Sequence, residues 1–206
     1  MNITSKEIRL LARNSLQGKW GVSIGVIFIT IILSIGVNFI PYIGYVISIL
    51  LFPITVAVEW FFLSISRKEN PAVDMIFTGY EQGNFARTLG TQLLRNIYIF
   101  FWSLLFIIPA IIKSFSYMLT NYLMKDYPGL KYNAAITLSR KIMDGNKGRA
   151  FILQLTFLGW ALLCLLTLGI GFIFLAPYMN AANAHFYRIV KEEYFEKHPE
   201  EQLFEM

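Results

Sequence analysis

The sequence predicts an all-α polytopic membrane protein: six transmembrane helices arranged as three helical hairpins, each preceded by a short amphipathic in-plane helix. Three observations predict it. Hydrophobic residues make up 56% of the 206 and charged residues 15%, where soluble domains run at about 45–50% and about 25%. A soluble fold of this size could not hide so much apolar surface, so the bilayer is the expected solvent. The 18 Lys and Arg residues gather in short clusters between uncharged runs, the layout of topology signals. One order of parts also comes round three times, over about residues 4–68, 71–126 and 131–191. It is a basic amphipathic segment, a glycine, an apolar run, a break and a second apolar run.

In the first unit, Thr4 and Glu7 have the spacing of a capping box. Ile8, Leu11, Ala12 and Leu16 recur at helical spacing, with Lys6, Arg9 and Arg13 on another face, and Gly18 closes the helix. Such a helix suits the surface of an anionic inner leaflet, which those three cations would contact; the alternative is a solvated helix packed on other parts of the protein. Gly21 to Ile40 carries no charge, and about 20 helical residues cross about 30 Å of hydrocarbon. That run is too long for a signal peptide, and a second span follows at once. Pro41-Tyr42-Ile43-Gly44 is the turn, and the return runs from about Tyr45 to Ser66, closed by Arg67-Lys68-Glu69.

Asn70-Pro71 opens the second unit as a helix cap with Pro in the first turn. Val73, Ile76, Phe77 and Tyr80 form the apolar stripe of a short helix, ended by Gly79 and Gly83. The third span runs from near Leu89 to Ile108. Pro109 removes a helical hydrogen bond and marks a reversal or a kink, and Ala110 to about Met124 is the fourth span. Lys125 to Gly129 returns the chain to water. In the third unit Ala135, Leu138, Ile142 and Met143 form a stripe beside Arg140 and Lys141, two further inner-leaflet contacts, and Gly145 stops that helix. Phe151 to Leu168 and Phe172 to about Val190 are the fifth and sixth spans around Gly169-Ile170-Gly171. Residues 192–206 are an acidic cytoplasmic tail, expected to be a frayed solvated helix.

Charge placement decides the span count. All Lys and Arg except Lys113 fall in the terminal segments, the two internal loops or the span ends adjoining them. Six spans with both termini cytoplasmic satisfy the positive-inside rule; five would export Lys125, Lys131, Arg140, Lys141, Lys147 and Arg149. Leu11, Arg13 and Gly18 recur at one spacing as Leu138, Arg140 and Gly145, and Pro53 and Pro177 nearly so, which is the trace of a duplication or a coincidence of common helix ends. The net charge of +5 is accounted for by topology signals, so no nucleic-acid partner is expected. A single Cys164 in an apolar run excludes an internal disulfide and reads as a buried hydrophobe. No nucleophile elbow, phosphate loop or metal-ligand spacing is present, so neither an enzyme nor a cofactor is expected.

Glu59 is the conspicuous residue, about two turns inside the inner interface. An intramembrane carboxylate is expensive and points to function. Its place after Pro53 corresponds to that of Asn183 after Pro177, and Asn180 lies one turn from Asn183 with His185 close by. Glu59, Asn180, Asn183 and His185 could together bind a proton, a cation or a head group. The commoner use of such residues is interhelical hydrogen bonding worth about 1 kcal/mol, and that reading is preferred. Lys113 is expected to anchor in the outer head groups. Trp20, Tyr42, Tyr45, Trp60, Tyr98 and Tyr178 sit toward span ends as an aromatic belt.

The runs Ile108 to Lys113 (IPAIIK), Tyr122 to Pro128 (YLMKDYP), Ala135 to Lys147 (AITLSRKIMDGNK), Phe157 to Trp160 (FLGW) and Leu166 to Tyr178 (LTLGIGFIFLAPY) resemble a bacterial integral-membrane family known as domain of unknown function nine-seven-five. The resemblance spans nearly the whole chain and is specific in its last two-thirds; Ala110 departs from it, since that family more often has Gly after the Pro. It implies a multi-pass protein of the cytoplasmic (inner) membrane and brings no activity, substrate or catalytic residues. Three function classes follow: a non-enzymatic scaffold or modulator of partner proteins or lipids, which leads; a small proton- or cation-coupled permease or exporter using Glu59; and a lipid-active enzyme. The lipid bilayer and its anionic inner-leaflet lipids are the expected partners, with a membrane-protein partner for the scaffold.

Overall fold

A computed structural model describes residues 3–40, 43–130 and 132–203. The predicted turn residues Pro41 and Tyr42, the loop cation Lys131 and the end of the tail lie outside the described residues. Among the described residues the chain is helical, with no strand. By length and composition, three helical stretches among the described residues are long and apolar enough to cross a membrane: Trp20–Val37, Ile43–Ser66 and Lys147–Leu166.

The first unit comprises α1 (Ser5–Ser15), α2 (Trp20–Asn38), α3 (Ile43–Leu50) and α4 (Phe52–Ser66). The capping box at Thr4 and Glu7 forms as the spacing predicts. Ile8, Ala12 and Leu16 are buried, but Leu11 is exposed, and the buried stripe packs against the last long helix of the chain. The second unit opens with a 3₁₀ helix (Val73–Tyr80) rather than an α-helix, followed by α5 (Phe85–Leu105), α6 (Ile107–Ser116) and α7 (Thr120–Asp126). The third comprises α8 (Asn133–Ile142), α9 (Lys147–Leu166) and α10 (Phe172–Lys197), with a short α11 (Pro199–Leu203) in the tail. Gly18, Gly83 and Gly145 have φ of +75°, +87° and +77°, and each stands two residues before a long helix, α2, α5 or α9. A residue with Cβ pays a steric penalty in that conformation, so glycine sets all three bends.

α5 and α6 form an antiparallel hairpin. The Tyr98 and Tyr117 rings lie 6.2 Å apart, and nearer the tip Lys113 Nζ stands 4.5 Å from the Trp102 ring. The reversal occurs at Phe106, whose φ of −162° and ψ of 151° are extended, and not at Pro109. Pro109 falls in the first turn of α6, where its missing N–H has no intrahelical partner to lose. α9 and α10 pair the same way, with Phe157 and Tyr178 5.3 Å apart.

Two of the predicted spans are broken helices. Pro53 cannot donate to the turn before it, and α3 gives way to α4 at Leu51; the Tyr80 hydroxyl donates to the Leu50 carbonyl at 2.6 Å. The 3₁₀ helix lies so close that a Cβ on Gly79 would stand 2.4 Å from the Pro53 carbonyl oxygen. Between α6 and α7 the ladder opens at Tyr117–Leu119. There Ser139 of α8 donates to the Ser116 carbonyl at 2.8 Å and accepts from the Leu119 N–H at 3.2 Å. Both interruptions are thus satisfied by other elements, as buried backbone must be.

α4 is the central element, buried from Pro53 to Ser66 except at Thr55 and Glu59. Trp60 is 4% exposed and donates to the Asn121 carbonyl, so it belongs to the core and not to an aromatic belt. At the ends of the hairpins' return arms, Asp126 of α7 accepts from Arg67, which follows α4, and from Tyr187 and Lys191 of α10. Burial would raise this carboxyl's pKa, but those three donors outweigh it and hold it below the usual carboxylate range. One side chain therefore ties all three units together. The tail is not frayed where described: Glu193 pairs with Arg149 and Glu201 with Lys141.

Candidate functional site

The opening between α6 and α7 faces a cavity of about 280 Å³ at the meeting of all three hairpins. Glu59 of α4, Arg95 of α5, Ser114 of α6, Tyr122 of α7, Gln154 of α9 and Asn180 and Asn183 of α10 line it. The sequence-predicted trio of Glu59, Asn180 and Asn183 is thus brought together, whereas His185 does not line the cavity. His185 is 8% exposed, and its Nε2 has no partner among the described residues.

The polar groups divide into two sets. Gln154 donates to Asn183 Oδ1 at 2.7 Å, and Asn180 donates to the Ala176 carbonyl of its own helix at 2.9 Å. These are the interhelical and local bonds the sequence leads one to expect. Glu59 differs. Its Oε1 accepts from Asn121 Nδ2 at 2.9 Å, but among the described residues the buried Oε2 has no partner. Asn121 Oδ1 and Arg95 Nε are likewise buried and unpartnered. Glu59 and Arg95 line one cavity with opposite charges yet form no ion pair. Each unsatisfied buried polar atom costs about 1–3 kcal/mol, so the arrangement fits a guest that supplies the missing bonds.

Arg95, Asn121, Tyr122 and Gln154 did not emerge from the sequence. Arg95 stands ten residues after the start of α5 at Phe85 (95 − 85), about 15 Å along the helix. Its neighbours Thr91, Gln92 and Asn96 are polar, so nothing in the sequence marked it as a lone cation in an apolar run. Asn121 is recognised only by the break that turns α7 toward α4. No group of three or more His, Cys, Asp or Glu converges among the described residues.

The family model described as Protein of unknown function (DUF975) matches residues 1–119 and 104–194. The chain belongs to this family. No curated protein and no solved structure matches it. In this DUF975 protein the Glu59–Arg95 cavity is where polar side chains of α4, α5, α6, α7, α9 and α10 meet. Of the other residues singled out, Lys113 is half-buried over Trp102 close to a hairpin tip. Lys6, Arg9 and Arg13 share one side of α1. Lys141 pairs with Glu201 of the tail while staying exposed, and Arg140 is exposed beside it.

Proposed function

We propose that this DUF975 protein is a six-span protein of the cytoplasmic membrane, with both termini cytoplasmic and spans at about 20–38, 43–66, 87–105, 107–124, 150–168 and 172–190, that binds a small zwitterionic solute at the centre of the bundle. One observation carries the reading: a carboxylate and a guanidinium, each with a buried unpartnered atom, line the same cavity without pairing. The amine of the solute is received by Glu59 Oε2, and its acid group by Arg95. A bare cation fits less well, because the guanidinium would repel it. The volume lies just under the ~300–1,000 Å³ of drug-sized ligand pockets, which favours a solute the size of an amino acid. Broken helices meeting at a central cavity suit a carrier, so the permease class is preferred over the scaffold.

The test uses purified protein in nanodiscs and a matched set of probes: glycine, β-alanine and glycine betaine against methylamine and acetate. Saturable stabilisation by at least one zwitterion, lost at least tenfold in both Glu59→Gln and Arg95→Gln, is the expected result. Equal response to methylamine or acetate, or no response to any probe, overturns it in favour of the scaffold. Carriage is read by counterflow in proteoliposomes, with Glu59→Gln abolishing any proton dependence. Orientation is read by an impermeant thiol reagent on a Cys164→Ser background: cysteines at Ile108 and Ile170 should label from outside, and those at Asn133 and Glu200 should not.

A further inference from the structure

On the flank of the bundle α1 lies against α9 and α10, with Ile8, Ala12 and Leu16 turned inward. Its other side forms a cavity of about 470 Å³ lined by Lys6, Arg9, Arg13 and Tyr178. None of these three cations has an ion-pair partner among the described residues, and Arg9 Nε is buried without a hydrogen bond. Glu7 also borders the cavity, but its carboxylate accepts from the Thr4 N–H and hydroxyl at 2.7 and 2.8 Å and is committed to the helix cap. The basic cavity adjoins a second of about 330 Å³, and Arg13 and Tyr178 line both. The walls of the second are apolar: Trp20, Trp160, Cys164, Phe174 and Leu175. Trp160 and Phe174 are 55% and 57% exposed on that flank.

We infer that the two cavities are one binding site for an anionic phospholipid. The phosphate is held by Arg9 and Arg13 with Lys6 at the rim, and an acyl chain lies along the slot of Trp20, Trp160 and Phe174. Charge and shape select the occupant together. Unpaired cations at one end call for an anion, and guanidinium groups hold phosphate oxygens well. The apolar slot that continues from Arg13 calls for a hydrocarbon tail, which a free phosphate lacks. A zwitterionic phosphatidylcholine would bring its choline cation to the same three cations. This site is separate from the Glu59–Arg95 cavity, so neither proposal depends on the other.

The experiment keeps the chain intact in phosphatidylcholine nanodiscs, where orientation does not matter. Phosphatidylglycerol brominated on its acyl chains is titrated in while tryptophan fluorescence is followed. Saturable quenching near one lipid per protein is expected, with brominated phosphatidylcholine giving only the linear background. Trp160→Phe should remove a large share of the saturable quenching, and Arg9→Gln with Arg13→Gln should weaken it at least tenfold. The wild-type comparison of the two lipids stands even if the double variant does not fold. Equal quenching by both lipids overturns the proposal, as does unchanged affinity in the folded double variant. Competition by glycerol 3-phosphate as effective as that by phosphatidylglycerol also overturns it, since the site would then be one for phosphate alone.

Discussion

The hairpin tips and the opposite ends of the same helices obey different rules. At the tips, Phe39 is 80% exposed, Ile107 75% and Leu168 95%. Around α4, α7 and the second half of α10, by contrast, Phe61, Phe62, Leu123, Phe186 and Tyr187 are fully buried, and charged groups are paired across units. The tips therefore draw little stability from protein contacts and owe their place to the solvent that receives them. The other half is a close-packed interior with a polar knot, in which one side chain can hold three units in register.

Asp126→Asn should have the largest effect, because it leaves Arg67 and Lys191 without their anion in a mostly buried setting. A loss of about 3 kcal/mol is expected, read as a fall in the unfolding midpoint of the detergent-solubilised protein. The same carboxyl gives a pH signature. Its pKa is held below the ordinary aspartate value, so its contribution is complete above that ordinary value, near 4, and is lost as pH falls through the lower folded-state pKa. The wild type should lose stability on acidification below about pH 4, and Asp126→Asn should flatten that slope. A wild-type slope unchanged in the variant would remove Asp126 as the knot.

A smaller effect separates two glycines of the third unit. A Cβ added to either Gly145 or Gly159 would meet no atom within 4 Å, but only Gly145 has positive φ, at +77°. Gly145→Ala should cost about 1–2 kcal/mol from backbone strain alone, while Gly159→Ala inside α9 should be neutral or stabilising by up to about 1 kcal/mol. Thermal unfolding of the two variants side by side measures the difference. Smallest of all, Ile107→Ala at a tip should change the detergent-state midpoint by less than about 0.5 kcal/mol. A large loss there would mean that protein contacts hold the tips, and the contrast between the two ends would fall.

Much of the helix order was legible in local sequence. The capping box at Thr4, the stops at Gly18 and Gly145 and the long helices α2 and α9 follow from residue type and spacing. Boundaries set by proline were less legible, because proline at 109 is as compatible with the first turn of a new helix as with the end of the old one. The second short segment has an apolar stripe that fits an α-helix, yet it folds as 3₁₀ where it packs on the Pro53 break. For the candidate site, Glu59, Asn180 and Asn183 stood out as polar residues in apolar runs. Asn121 and Gln154 did not, since nothing in their own neighbourhood says which way an amide points.

By itself the sequence determined the oily helices, the glycines that set their bends and the cations that gather between them, because each depends on a residue and its near neighbours along the chain. Only the tertiary structure decided that α1 buries Ile8 and Ala12 against α10, that Asp126 joins three units, and that Glu59 and Arg95 look into one cavity without touching. The reason is physical: helical periodicity fixes which face a side chain occupies, but what lies opposite that face is chosen by packing among segments far apart in the chain.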